Sequence, residues 1–185
     1  MSDAGNTKVM QSRRALAGAL SELMQEKPYA KITIQDICRR AGVSRQTFYN
    51  VCETKEEILR FHLQSACEDV LGQLPKEEIP TLNGVVKFFT IIMEGNQDLL
   101  KKMIENQLSG IITEEIANVV RAFALTFPQL DPEDELFPYC EAMLTGALSG
   151  LVVLWLSQEK PIEMDKLKRL LRDFLAGNLY RFPEE

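Results

Sequence analysis

The chain has few of the residues on which catalysis and metal binding rest. Its 185 residues include one histidine, His62, and four cysteines, Cys38, Cys52, Cys67 and Cys140, with neither CxxC spacing nor a cluster around the histidine. No glycine-rich phosphate loop is present and no nucleophile stands near a base, so neither an enzyme nor a bound cofactor or metal is expected. The cysteines read as structural thiols, with Cys52 the one whose oxidation would disturb a functional segment. His62 reads as a packing or hydrogen-bonding residue. Long apolar runs are scarce as well. The longest, Ala142 to Leu156, is broken by Gly146, Ser149 and Gly150 and is shorter than the ~20 residues of a bilayer helix, so a buried helix and no membrane partner are expected. The N-terminal MSDAGNTKVMQSRR has no apolar signal core. Its first residues are expected to be disordered, and the protein to be cytoplasmic.

Positive charge is in short supply too. Lysine and arginine number 21 against 27 acids, a net charge of -6, which argues against indiscriminate nucleic-acid binding. The balance is uneven along the chain: the first 60 residues carry 10 basic and 7 acidic side chains, a net +3, and the remainder 11 and 20, a net -9. A modest positive end suits a handful of directed phosphate contacts. Hydrophobic residues make up 45% of the chain, enough for one substantial core or two small ones. Neither an internal repeat nor a strand-like alternation interrupts the helical periodicity, so an all-α fold is expected.

The most informative segment is TIQDICRRAGVSRQTFYNVCETK, residues 33 to 55. Ile34, Ile37, Cys38 and Ala41 recur at i, i+3, i+4 and i+7, which puts them on one face of a helix. Thr33 with Asp36 makes a variant capping box at its start. Gly42 permits a positive φ and a sharp turn, and Ser44 is a good cap for a second helix. Val43 and Phe48 can dock that helix on the first, which leaves Arg45, Gln46, Thr47 and Tyr49 facing outward. In a helix-turn-helix the N-terminal residues of the second helix meet base edges, and Arg and Gln suit guanine and adenine. Thr54 and Glu57 cap the next helix, whose Lys55 is placed as a phosphate clamp at a helix N-terminus.

From about Val9 to Phe61 the chain resembles the N-terminal DNA-binding domain of the TetR/AcrR family of transcriptional regulators. The resemblance is carried by Thr33, Ile34, Ile37, the Ala41-Gly42-Val43-Ser44 turn, Thr47, Phe48, Tyr49, and Lys55 followed by Glu56, Glu57, Ile58 and Leu59. It implies that Arg45, Gln46 and Thr47 face the major groove while Thr33, Ser44, Tyr49 and Lys55 contact phosphates. The chain departs from the family after Tyr49, where Val51 and Cys52 replace the usual aromatic or histidine and phenylalanine, so one customary phosphate donor is missing.

A first helix with Val9, Leu16, Leu20 and Leu23 as its stripe should end before Pro28; its Arg13 and Arg14 either reach phosphates or form a solvated face. A long helix from Lys55 to about Gln73 connects a helix-turn-helix domain, residues 1–60, to a helical ligand-binding and dimerisation domain, residues 61–185. The proline-containing segment 74–82 separates them. Helices are then expected at about 83–94, 97–107, 112–127, 134–158 and 163–182. The 134–158 helix is apolar around too much of its circumference to bury only one side. Leu148, Leu151 and Trp155, with Leu171 and Phe174 of the last helix, are therefore placed at a homodimer interface, the alternative being a protomer core. Phe88, Phe89, Ile92, Met93, Met103, Phe123 and Phe127 either pack a core or line a pocket. The resemblance implies a small-molecule effector there; the lining itself suits an apolar or aromatic compound, with Tyr139, His62, Gln107 and Asn106 as polar contacts. The function expected is a ligand-responsive regulator, a repressor in preference to an activator, binding a palindromic operator in double-stranded DNA. The alternative is a helix-turn-helix protein-interaction adaptor that binds DNA weakly.

Overall fold

Helices are the regular structure wherever this chain can be described, which in the computed structural model is residues 3–125 and 132–179. Helix α1 (Asp3–Glu26) starts ahead of the expected position at Val9, and Val9 itself is exposed; Leu16, Leu20, Leu23 and Met24 form the buried stripe. It stops before Pro28, after which a single 3-10 turn (Tyr29–Lys31) leads into α2 (Ile34–Ala41), α3 (Arg45–Val51) and α4 (Lys55–Gln73). Five helices follow: α5 (Leu82–Gly95), α6 (Gln97–Glu105), α7 (Ser109–Ala124), α8 (Phe137–Ser157) and α9 (Met164–Leu175).

The helix ends are written into side chains. Thr81 accepts a hydrogen bond from the Gly84 N–H at 3.0 Å and donates to the Glu78 carbonyl at 2.7 Å, closing the segment after α4 onto the start of α5. The last helix ends at Leu175, short of the expected residue 182. Gly177 adopts φ 71°, and the Asn178 N–H reaches back to the Asp173 carbonyl at 2.8 Å, the glycine stop that relieves terminal carbonyls.

One buried cluster runs through both halves of the chain. It joins Leu16, Leu20, Ile37, Phe48, Ile58 and Leu59 to Met93, Leu100, Met103, Ile112, Val152, Trp155 and Leu167. Helix α4 belongs to both halves, because α1 packs against it on one side of the divide and α5 and α7 on the other. The halves also share a polar tie. The Tyr29 N–H donates to Asn106 Oδ1 at 2.9 Å, and Asn106 is held at the end of α6 by its own Nδ2 on the Lys102 carbonyl. Gln107 next to it takes φ 61°, a left-handed stop for α6 that costs a non-glycine residue about 1–3 kcal/mol.

The apolar run expected to be too short for a bilayer is a segment of a longer helix. Helix α8 has 21 residues, and an 18-residue stretch of it has a mean hydropathy of 1.5, enough by length and composition to cross a membrane. One side of it is committed to the protein: Leu148, Val152, Trp155 and Leu156 are buried, and the Trp155 indole donates to the Ile162 carbonyl at 2.8 Å. This corrects the placement of Leu148, Trp155 and Leu171 at a subunit interface. Leu148 and Leu171 pack with Val86 and Val120, and Trp155 packs in the main core. Leu151 and Phe174 are half-buried in the groove between α8 and α9. The periodicity of a helix apolar all round does not say which side faces inward.

Two glycines should respond oppositely to alanine. A Cβ at Gly84 would lie 1.9 Å from the Glu78 carbonyl oxygen, whereas one at Gly18, mid-way along α1, meets nothing within 4 Å. We expect Gly84→Ala to destabilise the fold by about 1–3 kcal/mol and Gly18→Ala to stabilise it by about 0.5–1 kcal/mol. Thermal and urea melts of the two variants check this; equal melting temperatures would contradict the close approach at Gly84.

Candidate functional site

The local chemistry of residues 33 to 55 fixes a seven-residue helix that could not form alone. Helices this short do not offset their nucleation cost in water, so α3 depends on its ends and its buried side. Ser44 Oγ accepts from the Thr47 N–H at 3.0 Å and lies 2.8 Å from Thr47 Oγ1, so one of the two hydroxyls donates to the other. Phe48 is fully buried, and Val51 and Cys52 are buried behind it. At the far end Arg13 Nε donates to the Val51 carbonyl at 2.8 Å while its guanidinium lies over the Phe61 ring. The departures at Val51 and Cys52 therefore leave α3 anchored, and Arg13 is an anchor of this helix.

Helix α2 is fixed by a complete capping box. The Asp36 N–H donates to Thr33 Oγ1, and the Thr33 N–H donates to Asp36 Oδ2, each at 3.1 Å. Lys27 reaches the same carboxylate at 2.8 Å, and this bond, followed by those from Thr33, holds the Asp36 carboxyl well below the usual range. Gly42 closes the helix at φ 69°. Arg40 forks onto Glu22 and Glu26 of α1, and these bonds raise its affinity for its proton. With α2 tied to α1 in this way, α3 is presented on the outside.

Arg45, Gln46 and Tyr49 are exposed, with Tyr49 half-accessible; its ring stands edge-on to Phe48, 5.2 Å between centroids. Thr47 is half-buried, while Thr33 and Ser44 are exposed at the two helix starts. These six of the seven nucleic-acid residues named from sequence are thus wholly or partly exposed. Lys55 differs. Its Nζ donates to the carbonyls of Tyr29 at 3.0 Å and Ile32 at 2.9 Å and lies 4.0 Å from the centre of the Tyr29 ring. Burial lowers its pKa. Two of its three donors are spent inside the protein, because the 3-10 turn after Pro28 brings its first carbonyl and that of the following Ile32 over the start of α4. Tyr29 in turn donates its phenol to Glu56 at 2.6 Å; burial and that carboxylate raise the phenol's pKa.

The second feature is a cavity of about 60 Å³ between α4, α5, α6, α7 and α8. Phe88, Phe89, Ile92 and Met93 line it, as expected, and Leu148 does so as well. A neighbouring cavity of about 90 Å³ shares Phe88, Phe89 and Leu148 and is closed by Phe123, whose ring meets Phe88 at 5.3 Å. Met103 is fully buried in the core and lines neither, a correction to its place in the pocket. Phe127 lies outside the described residues. The expected polar contacts are elsewhere too: Tyr139 is exposed, His62 Nε2 pairs with Asn96 Oδ1 at 3.1 Å, and Asn106 is engaged with Tyr29 and Lys102. Sequence reading missed the α4 and α7 walls, including Cys67 and Glu115. Glu115 stands beside Glu114 in the sequence and looks like half of a solvated acidic pair. Among the described residues no group of three His, Cys, Asp or Glu side chains could hold a metal ion.

Comparison with known proteins agrees with this geometry. Residues 16–60 match the family model of bacterial regulatory proteins, tetR family. The uncharacterized HTH-type transcriptional regulator YxbF of Bacillus subtilis is 26% identical over 180 residues, which are 94% of this chain and 47% of that protein. The HTH-type dhaKLM operon transcriptional activator DhaS of Lactococcus lactis is 38% identical over 61 residues, 33% of each chain. This chain thus spans about half the length of the first relative and a third of the second. The crystal structure of a TetR transcriptional regulator from Streptococcus agalactiae shares the fold, with a TM-score of 0.59 at 21% identity over 93% of this chain and 97% of that one.

The inward turn of Lys55 can be tested directly. Lys55→Met leaves the Tyr29 and Ile32 carbonyls without their donor, for an expected loss of about 1–3 kcal/mol in a denaturant melt. The salt dependence of DNA binding should keep its slope. A phosphate clamp would instead lower that slope by about one while leaving stability intact.

Proposed function

We propose that the chain is a TetR-family transcriptional regulator with a helix-turn-helix DNA-binding domain, working in the cytoplasm as a homodimer on a palindromic operator. Filling the cavity with a small molecule changes its grip on that operator. The observation that carries this reading is the outward face of α3, where Arg45, Gln46 and Tyr49 stand exposed on a helix pinned at both ends. Arg45 and Gln46 supply the bidentate donors and acceptors that base edges answer in the major groove. Ser44, Thr33 and Tyr49 flank them as phosphate contacts. Repression is the simplest use of such a protein, since occupying an operator suffices to block a promoter that overlaps it.

The dimer reading rests on the outer side of α8. Tyr139, Met143 and Leu154 are exposed there, with Gly146, Ala147 and Gly150 between them on the same face. A Cβ at Gly146 or Gly150 would meet nothing within 4 Å in the protomer, so packing within the protomer does not require their smallness. Close approach of a second copy of α8 accounts for it. A two-fold pairing of this kind sets two copies of α3 about one turn of DNA apart, roughly 34–36 Å. Cavity and head meet in α4, which lines the first with Leu63 and Cys67 and starts beside the second at Lys55. A ligand that favours one tilt of that helix shifts the balance between DNA-competent and incompetent states.

Selection from a randomised duplex library should return a two-fold symmetric site that binds with a steep salt dependence. Preference no better than for random duplex would remove the reading. Arg45→Ala should cost about 1–3 kcal/mol at that site and relax one base position in each half. The double variant Met143→Lys, Leu154→Lys should sediment as a folded monomer with its melting curve preserved and its operator affinity lost; a surviving dimer would remove the α8 interface.

A further inference from the structure

The cavity contains a charge behind its wall. Glu115 of α7 is 6% exposed and lines the cavity, yet no polar atom of the described wall faces the space. Its carboxylate is turned toward α4 and along its own helix. Gln64 Nε2 lies 3.2 and 3.1 Å from the two oxygens, and Asn118 Nδ2 lies 3.2 Å from Oε2. Every partner is a donor, the arrangement of an anionic carboxylate. Arg60 is the cation within reach, at 3.8 Å, and it is already paired with Glu114. Neutral amides do not cancel the charge and one arginine shared by two glutamates leaves an excess of one negative charge, so a negative field extends through the apolar wall. Cys67, on that wall, registers it: burial, then Glu115 and Glu68, push its thiol up to about 11.

We infer that Glu115 is a charge filter: the cavity takes small uncharged apolar molecules of single-ring size and excludes anions far more strongly than cations of the same shape. This rests on reading the cavity as the effector site. The size follows from the two adjoining spaces that share Phe88 and Phe89, which together approach the ~150 Å³ that admits benzene. The sign follows from Glu115. An apolar cavity without a buried charge would reject benzoate and benzylammonium alike, because both lose their hydration. At an effective dielectric of about 20, a unit negative charge within about 10 Å separates them by at least about 100-fold.

The test uses the full chain and three probes, toluene, benzoate and benzylamine, with binding followed by calorimetry and by ligand NMR. Toluene should bind best, and benzylammonium should exceed benzoate by 100-fold or more. Glu115→Gln, which keeps the shape and one acceptor oxygen for the neighbouring amides, should bring the two ions within tenfold of each other. Equal exclusion of both ions by the unaltered protein overturns the filter without needing the variant, and so does tighter binding of benzoate. Operator release is measured separately. Rings that bind in the expected order without moving DNA affinity leave the filter standing and remove the effector reading. Operator release by an anionic compound seated in this cavity keeps the effector reading and removes the filter.

Discussion

The turn at Tyr29 is the constraint on which the arrangement of the whole chain depends. Its N–H goes to Asn106 at the end of α6, its carbonyl to Lys55 at the start of α4, and its phenol to Glu56. Two helices, α4 and α6, are thereby tied to the turn that leads from α1 to α2. The ammonium of Lys55 is half-buried, and two carbonyls and the face of an aromatic ring stand in for lost water. Such a knot is stable only when complete, since removing a single partner strands buried donors or acceptors. It also joins the helix-turn-helix to the helices that enclose the cavity.

Precision at α3 comes from its surroundings. Seven residues cannot hold helical form by themselves, so Ser44 fixes the start, Arg13 the end, and Phe48 the buried side. The residues that face outward then owe their positions to ones that stand behind them. Asp36 has a comparable role in the preceding helix, collecting Lys27, Thr33 and Arg39 on a single carboxylate.

Local features of this fold were readable in the amino-acid string, and non-local ones were not. The caps at Thr33, Ser44 and Thr54 and the left-handed turn at Gly42 involve residues within four positions of each other, and each is where its spacing put it. The fate of Lys55 depends on carbonyls 23 and 26 residues away, and no spacing rule reaches that far. Helix α8 defeated the assignment of faces for a different reason: with apolar residues on every side, Leu148 and Met143 look equivalent until neighbouring helices choose between them. Met103 and Phe88 differ in the same way. Both are large and buried, and only the gap left by α4 and α7 makes one of them a wall and the other filler.

Helix α4 runs unbroken for 19 residues, which at 1.5 Å each makes a rod of roughly 28 Å. Cys67 in its cavity wall and Lys55 at its tip are separated by about 18 Å of that rod. Rotation by ten degrees about the inner point carries the tip sideways by about 3 Å, close to the rise of two helical residues. On the reading proposed above, a small tilt of α4 at the cavity would become, at its tip, a displacement comparable to the length of a hydrogen bond.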